Sequence, residues 1–173
     1  FNNVIINKNY SVGGASALTL EASNLNLYHG TLSNNYHNSI DPVTAPSAIS
    51  LWQNSNLDII NSIIWGNELA GSITCMNDEG CQYLNVNYSN IDGGFEGEGN
   101  INIDPLFSDS ENGDYTLQEG SPCIDAGTII EGLEYYGMAP DMGAFEYIPE
   151  QQNSNGDLDG DGAINVLDII VLV

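Results

Sequence analysis

Twelve residues near the end of the chain carry its clearest chemistry: Asp157-Leu-Asp-Gly-Asp-Gly-Ala-Ile-Asn-Val-Leu-Asp168. Side-chain oxygens fall at the first, third, fifth, ninth and twelfth positions, which are Asp157, Asp159, Asp161, Asn165 and Asp168. The seventh position, Ala163, offers a backbone carbonyl. A hard cation such as calcium takes six to eight oxygens, from carboxylates and carbonyls. Gly162 stands where the loop must turn sharply, and the apolar Ile164 follows the carbonyl donor. The spacing predicts a Ca2+ site built from Asp157, Asp159, Asp161, Ala163, Asn165 and Asp168. The bland reading of the same residues is a solvated acidic turn.

The twelfth position is Asp, where the helix–loop–helix calcium motif has Glu, and the polar stretch before the loop has no helical apolar periodicity. In both respects residues 157–173 resemble the type I dockerin repeat, in which the loop leads straight into one helix. Asp168-Ile-Ile-Val-Leu-Val173 would begin that helix. A full dockerin has two such repeats and this sequence shows one. The resemblance implies bound calcium, an extracellular setting and a cohesin-like or self partner.

Elsewhere the chemistry is sparse. Elimination from an acidic polysaccharide needs a basic group to abstract a proton, and the chain has one Lys or Arg in total, Lys8. Hydrolysis needs two carboxyl groups a few ångströms apart. Asp58, Asp78, Glu79 and Asp92 form no pair in sequence and read as solvated corners. His29 and His37 stand without a motif. Trp52, Trp65, Tyr28 and Tyr36 suit packing as well as stacking on sugars. Cys75 and Cys81 bracket a turn-like stretch, and in an oxidising compartment a disulfide there contributes about 2 kcal/mol. Two thiols are the alternative, with Cys123 left over as a small buried hydrophobe.

The elements that must hold these residues are repetitive. Residues 24–35, 56–67 and 83–94 align, with apolar residues at their second, fourth and ninth positions and Asn or Gly at their ends. Residues 16–20, 47–51 and 71–75 repeat as a preceding strand, and 4–9 match the second half of the unit. Strand-like alternation gives each unit one apolar face that it cannot bury alone. Stacked coils can bury it at roughly 4.8 Å per rung. Asn and Gly admit the left-handed backbone of sharp corners, and residues 39–46 read as a loop thrown out from one corner. The pattern predicts an all-β parallel β-helix. A β-sandwich is the rival, disfavoured by the parallel alignment and the lack of hairpin dipeptides.

Beyond Gly94 the repeat stops. Residues 95–100 read as a flexible acidic loop. Ile101-Asn-Ile-Asp-Pro-Leu-Phe107, then Ser121-Pro-Cys-Ile-Asp-Ala-Gly127, then Asp141-Met-Gly-Ala-Phe-Glu-Tyr147 follow. These elements resemble the C-terminal end of secreted bacterial right-handed parallel β-helix proteins. The resemblance implies that handedness and a secreted life, and no single activity. The expected organisation is coils over 1–100, a capping segment over 101–147, a linker over 148–156 and the calcium repeat over 157–173. Leu106, Phe107, Tyr115, Leu117, Cys123, Ile124, Met142, Ala144, Phe145 and Tyr147 are the candidate cover for the open end. Asp125 and Asp141 read as turn caps.

Charge narrows the partners. Asp and Glu number 24 and the formal net charge is −23. Nucleic acid and anionic lipid require a basic footprint that is absent, and no stretch is apolar enough to span a membrane. Calcium, neutral polysaccharide or a protein partner remain. The sequence thus points to a non-catalytic structural or adhesive module of a secreted or cell-surface protein. The rivals are the tail of a polysaccharide-degrading enzyme whose active coils lie upstream, and a subunit of an extracellular filament.

Overall fold

Short alternating apolar runs make short strands, and here the strands stack in parallel. The computed structural model describes residues 1–11, 17–37, 48–67, 73–75 and 81–149, which are all-β with no helix among them. The strands are β1 (Asn2–Asn7), β2 (Tyr10–Ser11), β3 (Leu18–Glu21), β4 (Asn24–Ser33), β5 (Tyr36–His37), β6 (Ile49–Trp52) and β7 (Ser55–Ile60). They continue with β8 (Ile63–Trp65), β9 (Ile73–Cys75), β10 (Cys81–Asn87), β11 (Asn90–Ile91), β12 (Phe107–Asp109) and β13 (Asp114–Leu117). Six of them, β1, β4, β7, β8, β10 and β11, form one curled sheet. A second sheet runs β3-β6-β9 and a third pairs β2 with β5, and every pair in these three sheets is parallel.

The register follows the sequence repeat. Val4 pairs with Gly30, Leu25 with Leu57 and Leu57 with Leu84, which are shifts of 26, 32 and 27 residues. The preceding strand keeps step, with Leu18 on Ile49 and Ile49 on Ile73. Apolar positions of one level therefore lie over those of the next. Leu27, Leu32, Leu57, Ile59, Ile64, Val86 and Ile91 are at most 2 % exposed, and Leu25 and Leu84 pack against them. Each fully buried side chain of this size contributes about 1.5–3 kcal/mol.

The corners are stacked as well. Asn3, His29, Asn61 and Tyr88 occupy one column with φ between 48° and 53°. Lys8, Asn34, Gly66 and Gly93 form a second left-handed column, with φ from 51° to 85°. A left-handed conformation costs an ordinary residue about 1–2 kcal/mol, and the hydrogen bonds between levels offset it. Gly30 N–H donates to Ser62 Oγ, Ser62 N–H to Ser89 Oγ, and Ser89 N–H to Asn100 Oδ1, each at 3.0 Å. An asparagine ladder centred on the buried Asn35 runs alongside, with Asn9 Nδ2 on Asn35 Oδ1 and Asn35 Nδ2 on Asn67 Oδ1, both at 2.9 Å.

The end of the stack is closed earlier than the sequence predicts. Residues 95–100, read as a flexible loop, fold over β10. Phe95 packs on the core, Tyr88 N–H donates to Glu98 O at 2.7 Å, and Asn100 Nδ2 reaches Val86 O at 2.8 Å. Ile101 then bridges Asn90 in parallel. Residues 101–147 run along the flank and touch four levels. Lys8 Nζ donates to Glu111 O at 2.6 Å and Asn34 Nδ2 to Ser110 O at 3.1 Å. Gly143 N–H donates to Asn61 O at 2.8 Å, and Asn90 Nδ2 to Ile103 O at 2.7 Å. Within this segment β12 and β13 form an antiparallel hairpin. Tyr115, Leu117, Cys123, Met142 and Ala144 are buried, and Phe107, Ile124 and Tyr147 are half-buried. Leu106 and Phe145, expected in the same cover, stay 38 % and 42 % exposed.

Candidate functional site

The first place where titratable groups meet a cavity is the left-handed corner of β4. There His29 is 5 % exposed and lines a cleft of about 270 Å³ with Asn3, Glu134, Phe145 and Glu146. Asn61, one level away, fixes the ring. Its amide takes Thr128 N–H on Oδ1 at 2.8 Å and gives Nδ2 to Thr128 O at 2.7 Å. The amide orientation is therefore set, and its second N–H points at His29 Nε2, 3.1 Å away. Nε2 must accept, so the neutral ring carries its proton on Nδ1. Burial holds His29 below its ordinary pKa, against a backbone hydrogen bond and the charge of Asp141. The imidazole is engaged on the side a general base would use.

Three carboxylates on the flank, Asp125, Asp141 and Glu146, are also occupied. Asp125 Oδ1 accepts from Met138 N–H at 2.7 Å and from Ala139 N–H at 3.1 Å. Asp141 Oδ1 accepts from Asp125 N–H at 2.7 Å, and its Oδ2 from Tyr147 N–H. Glu146 accepts from Asp141 N–H and Tyr136 N–H, both at 3.1 Å. Burial pushes Asp141 above the ordinary carboxylate value, and the bonds from Tyr147 and Asp125 pull it back. Asp125 and Asp141 thus tie turns, as their sequence context predicts.

A second cavity is open and lies on the outward face of β7 and β10. It measures about 470 Å³ and is lined by Asn56, Asp58, Tyr83, Leu84 and Asn85. The strand register makes two columns of outward residues, Asn24–Asn56–Tyr83 and Asn26–Asp58–Asn85. A shift in pairing between Cys81 and Tyr83 precedes the Tyr83 ring, which is 69 % exposed. Sequence reasoning named Asp58 and passed over the others. Their signal was a polar residue at the third position of every repeat and at the first position of two, with Tyr83 in the third.

The remaining expectations divide. Asp92 Oδ2 accepts from Gly66 N–H at 3.2 Å. Trp52, Trp65 and Tyr28 are half-buried and Tyr36 is 42 % exposed. Cys75 is disulfide-bonded, and Cys123 is a buried free thiol pushed up to about 11 by burial. The side chains of Cys81 and His37 lie outside the described residues, as do Asp78 and Glu79. The calcium residues Asp157, Asp159, Asp161, Ala163, Asn165 and Asp168 lie outside them too, with most of the linker. Among the described residues no three His, Cys, Asp or Glu side chains gather to hold a metal, and no helix is long and apolar enough to cross a membrane.

Compared with family models, with curated proteins and with solved structures, the chain matches none.

Proposed function

We propose that the chain is a non-catalytic structural or adhesive module of a secreted or cell-surface protein. Its parallel strands wind as a right-handed β-helix, and residues 157–173 bind calcium as a dockerin-like repeat. The observation that carries this reading is how its polar side chains are used. The ladder Asn9–Asn35–Asn67, the serines 62 and 89, His29 with Asn61, and Asp125 with Asp141 are bound to backbone or to one another. The hydrogen bonds of these groups serve the stack. Lys8, the one Lys or Arg of the sequence, holds a flank carbonyl. In-register pairing at shifts of 26, 32 and 27 residues supports coils, and the sequence elements from Ile101 onward support the right-handed sense. An extracellular setting favours a disulfide between Cys75 and Cys81.

The test is turnover. The full chain, incubated with calcium and with neutral and anionic polysaccharides, should release no reducing ends and no unsaturated sugars above a heat-denatured control. Reproducible release from any of them would remove the non-catalytic reading.

A further inference from the structure

The open face of β4, β7 and β10 contains a break in an otherwise regular pattern. Asn56 Nδ2 donates to Asn24 Oδ1 at 2.6 Å, the first step of an outward amide ladder. The next residue in that column is Tyr83, which extends no amide ladder. Asn56 Oδ1 is left buried without a partner, the one such side-chain atom among the described residues. Leaving an acceptor in that state is destabilising, and a third asparagine would satisfy it. Instead the column carries an exposed aromatic ring, re-aimed by the pairing shift beside it. Asp58 and Asn85 flank the ring in the neighbouring column and line the same 470 Å³ cavity. The Asp58 carboxylate and the Tyr83 hydroxyl make no hydrogen bond among the described residues.

We propose that this face binds a strand of neutral polysaccharide, with a sugar ring stacked on Tyr83 and hydroxyls held by Asp58 and Asn85. The chemistry selects the occupant. A carboxylate and an amide side by side accept from and donate to paired hydroxyls, and an exposed ring covers the apolar side of a sugar. No cation lines the cavity and the chain's net charge is −23, so an anionic glycan is repelled. The columns repeat at the rung spacing of roughly 4.8 Å, close to the rise of one sugar ring in an extended chain, so successive levels meet successive sugars. The proposal rests on the module reading above and supplies its adhesive partner.

Titration calorimetry on the full chain tests it, with cellohexaose and mannohexaose as neutral probes and hexagalacturonate as the anionic one. At least one neutral hexasaccharide should bind, and hexagalacturonate should not. Tyr83→Ala should weaken binding about tenfold, and Tyr83→Trp should restore it. Tyr10→Ala, an exposed ring on β2, should change nothing. Amide shifts in the NMR spectrum on adding the probe should centre on Asn85, a readout that stands if a variant folds poorly. Absence of neutral binding, a preference for hexagalacturonate, or equal affinity in Tyr83→Ala overturns the proposal and leaves the non-catalytic reading intact. Cleavage of a bound hexasaccharide would do the reverse.

Discussion

His29 Nε2 makes a hydrogen bond that only the neutral ring can make. Nε2 accepts from Asn61, whose amide cannot turn without losing both bonds to Thr128. Adding a proton would set N–H against N–H2 inside the fold. Because burial lowers the folded-state pKa, the unfolded chain takes up the proton first. The stability this neutral ring contributes is complete above the ordinary histidine value of about 6.5 and declines as pH falls below it. Asp141 has the opposite sign, since its raised folded-state pKa lets the native state bind a proton first as pH falls toward the carboxylate range. The two are separable by substitution. From about pH 7.5 to about pH 5.5, the wild-type melting temperature should fall more than that of His29→Asn. Asn tolerates the left-handed corner and keeps an acceptor there. Equal falls in the two proteins would show that the imidazole does not titrate against the fold.

The strands and corners act together, and their failure points lie where backbone meets backbone. In the segment over β10, a Cβ on Gly97 would stand 1.9 Å from the Val86 carbonyl oxygen, a clash with main chain that cannot swing aside. In the β12–β13 turn, a Cβ on Gly113 would meet nothing within 4 Å, although its φ of +92° carries a conformational cost. Gly113→Ala should therefore cost about 1–2 kcal/mol in urea denaturation. Gly97→Ala should cost more, about 3 kcal/mol, because the end cover must lift. The reverse order would mean that residues 95–100 do not close the stack. That cover was illegible in sequence, since a run of Gly and Glu looks like a loop until Phe95 is seen on the core. The core itself was legible, because alternation marks Leu25, Leu27 and Leu32 and their counterparts at each level. The corners were half legible. Asn61, Gly66 and Gly93 advertise a left-handed backbone, whereas His29, Tyr88 and Lys8 adopt it only because the neighbouring level imposes it. The bond between Asn61 and Thr128 joins residues far apart in sequence and has no local signature at all.

Across the whole molecule the governing quantity is 24 acidic residues against one basic one. Self-repulsion at that charge destabilises any compact state, and added salt relieves it by screening. Any cation should therefore raise the melting temperature somewhat, so a calcium effect alone proves no site. Site binding differs in being stoichiometric and residue-specific. The tail carries Asp157, Asp159, Asp161 and Asp168 within twelve residues, and gathering such carboxylates without a cation is electrostatically unfavourable. A cation that fits the loop should bind there before it screens elsewhere. In sodium chloride of matched ionic strength, calcium should give one saturable site by calorimetry and a gain in helical far-UV signal, as residues after Asp168 order. Asp161→Ala should weaken that site at least tenfold and leave the sodium response of the parallel strands unchanged. If calcium acts no differently from matched sodium, or as strongly on Asp161→Ala as on the wild type, the loop is a solvated acidic turn. The adhesive reading of the parallel strands would then have to stand on the Tyr83 face alone.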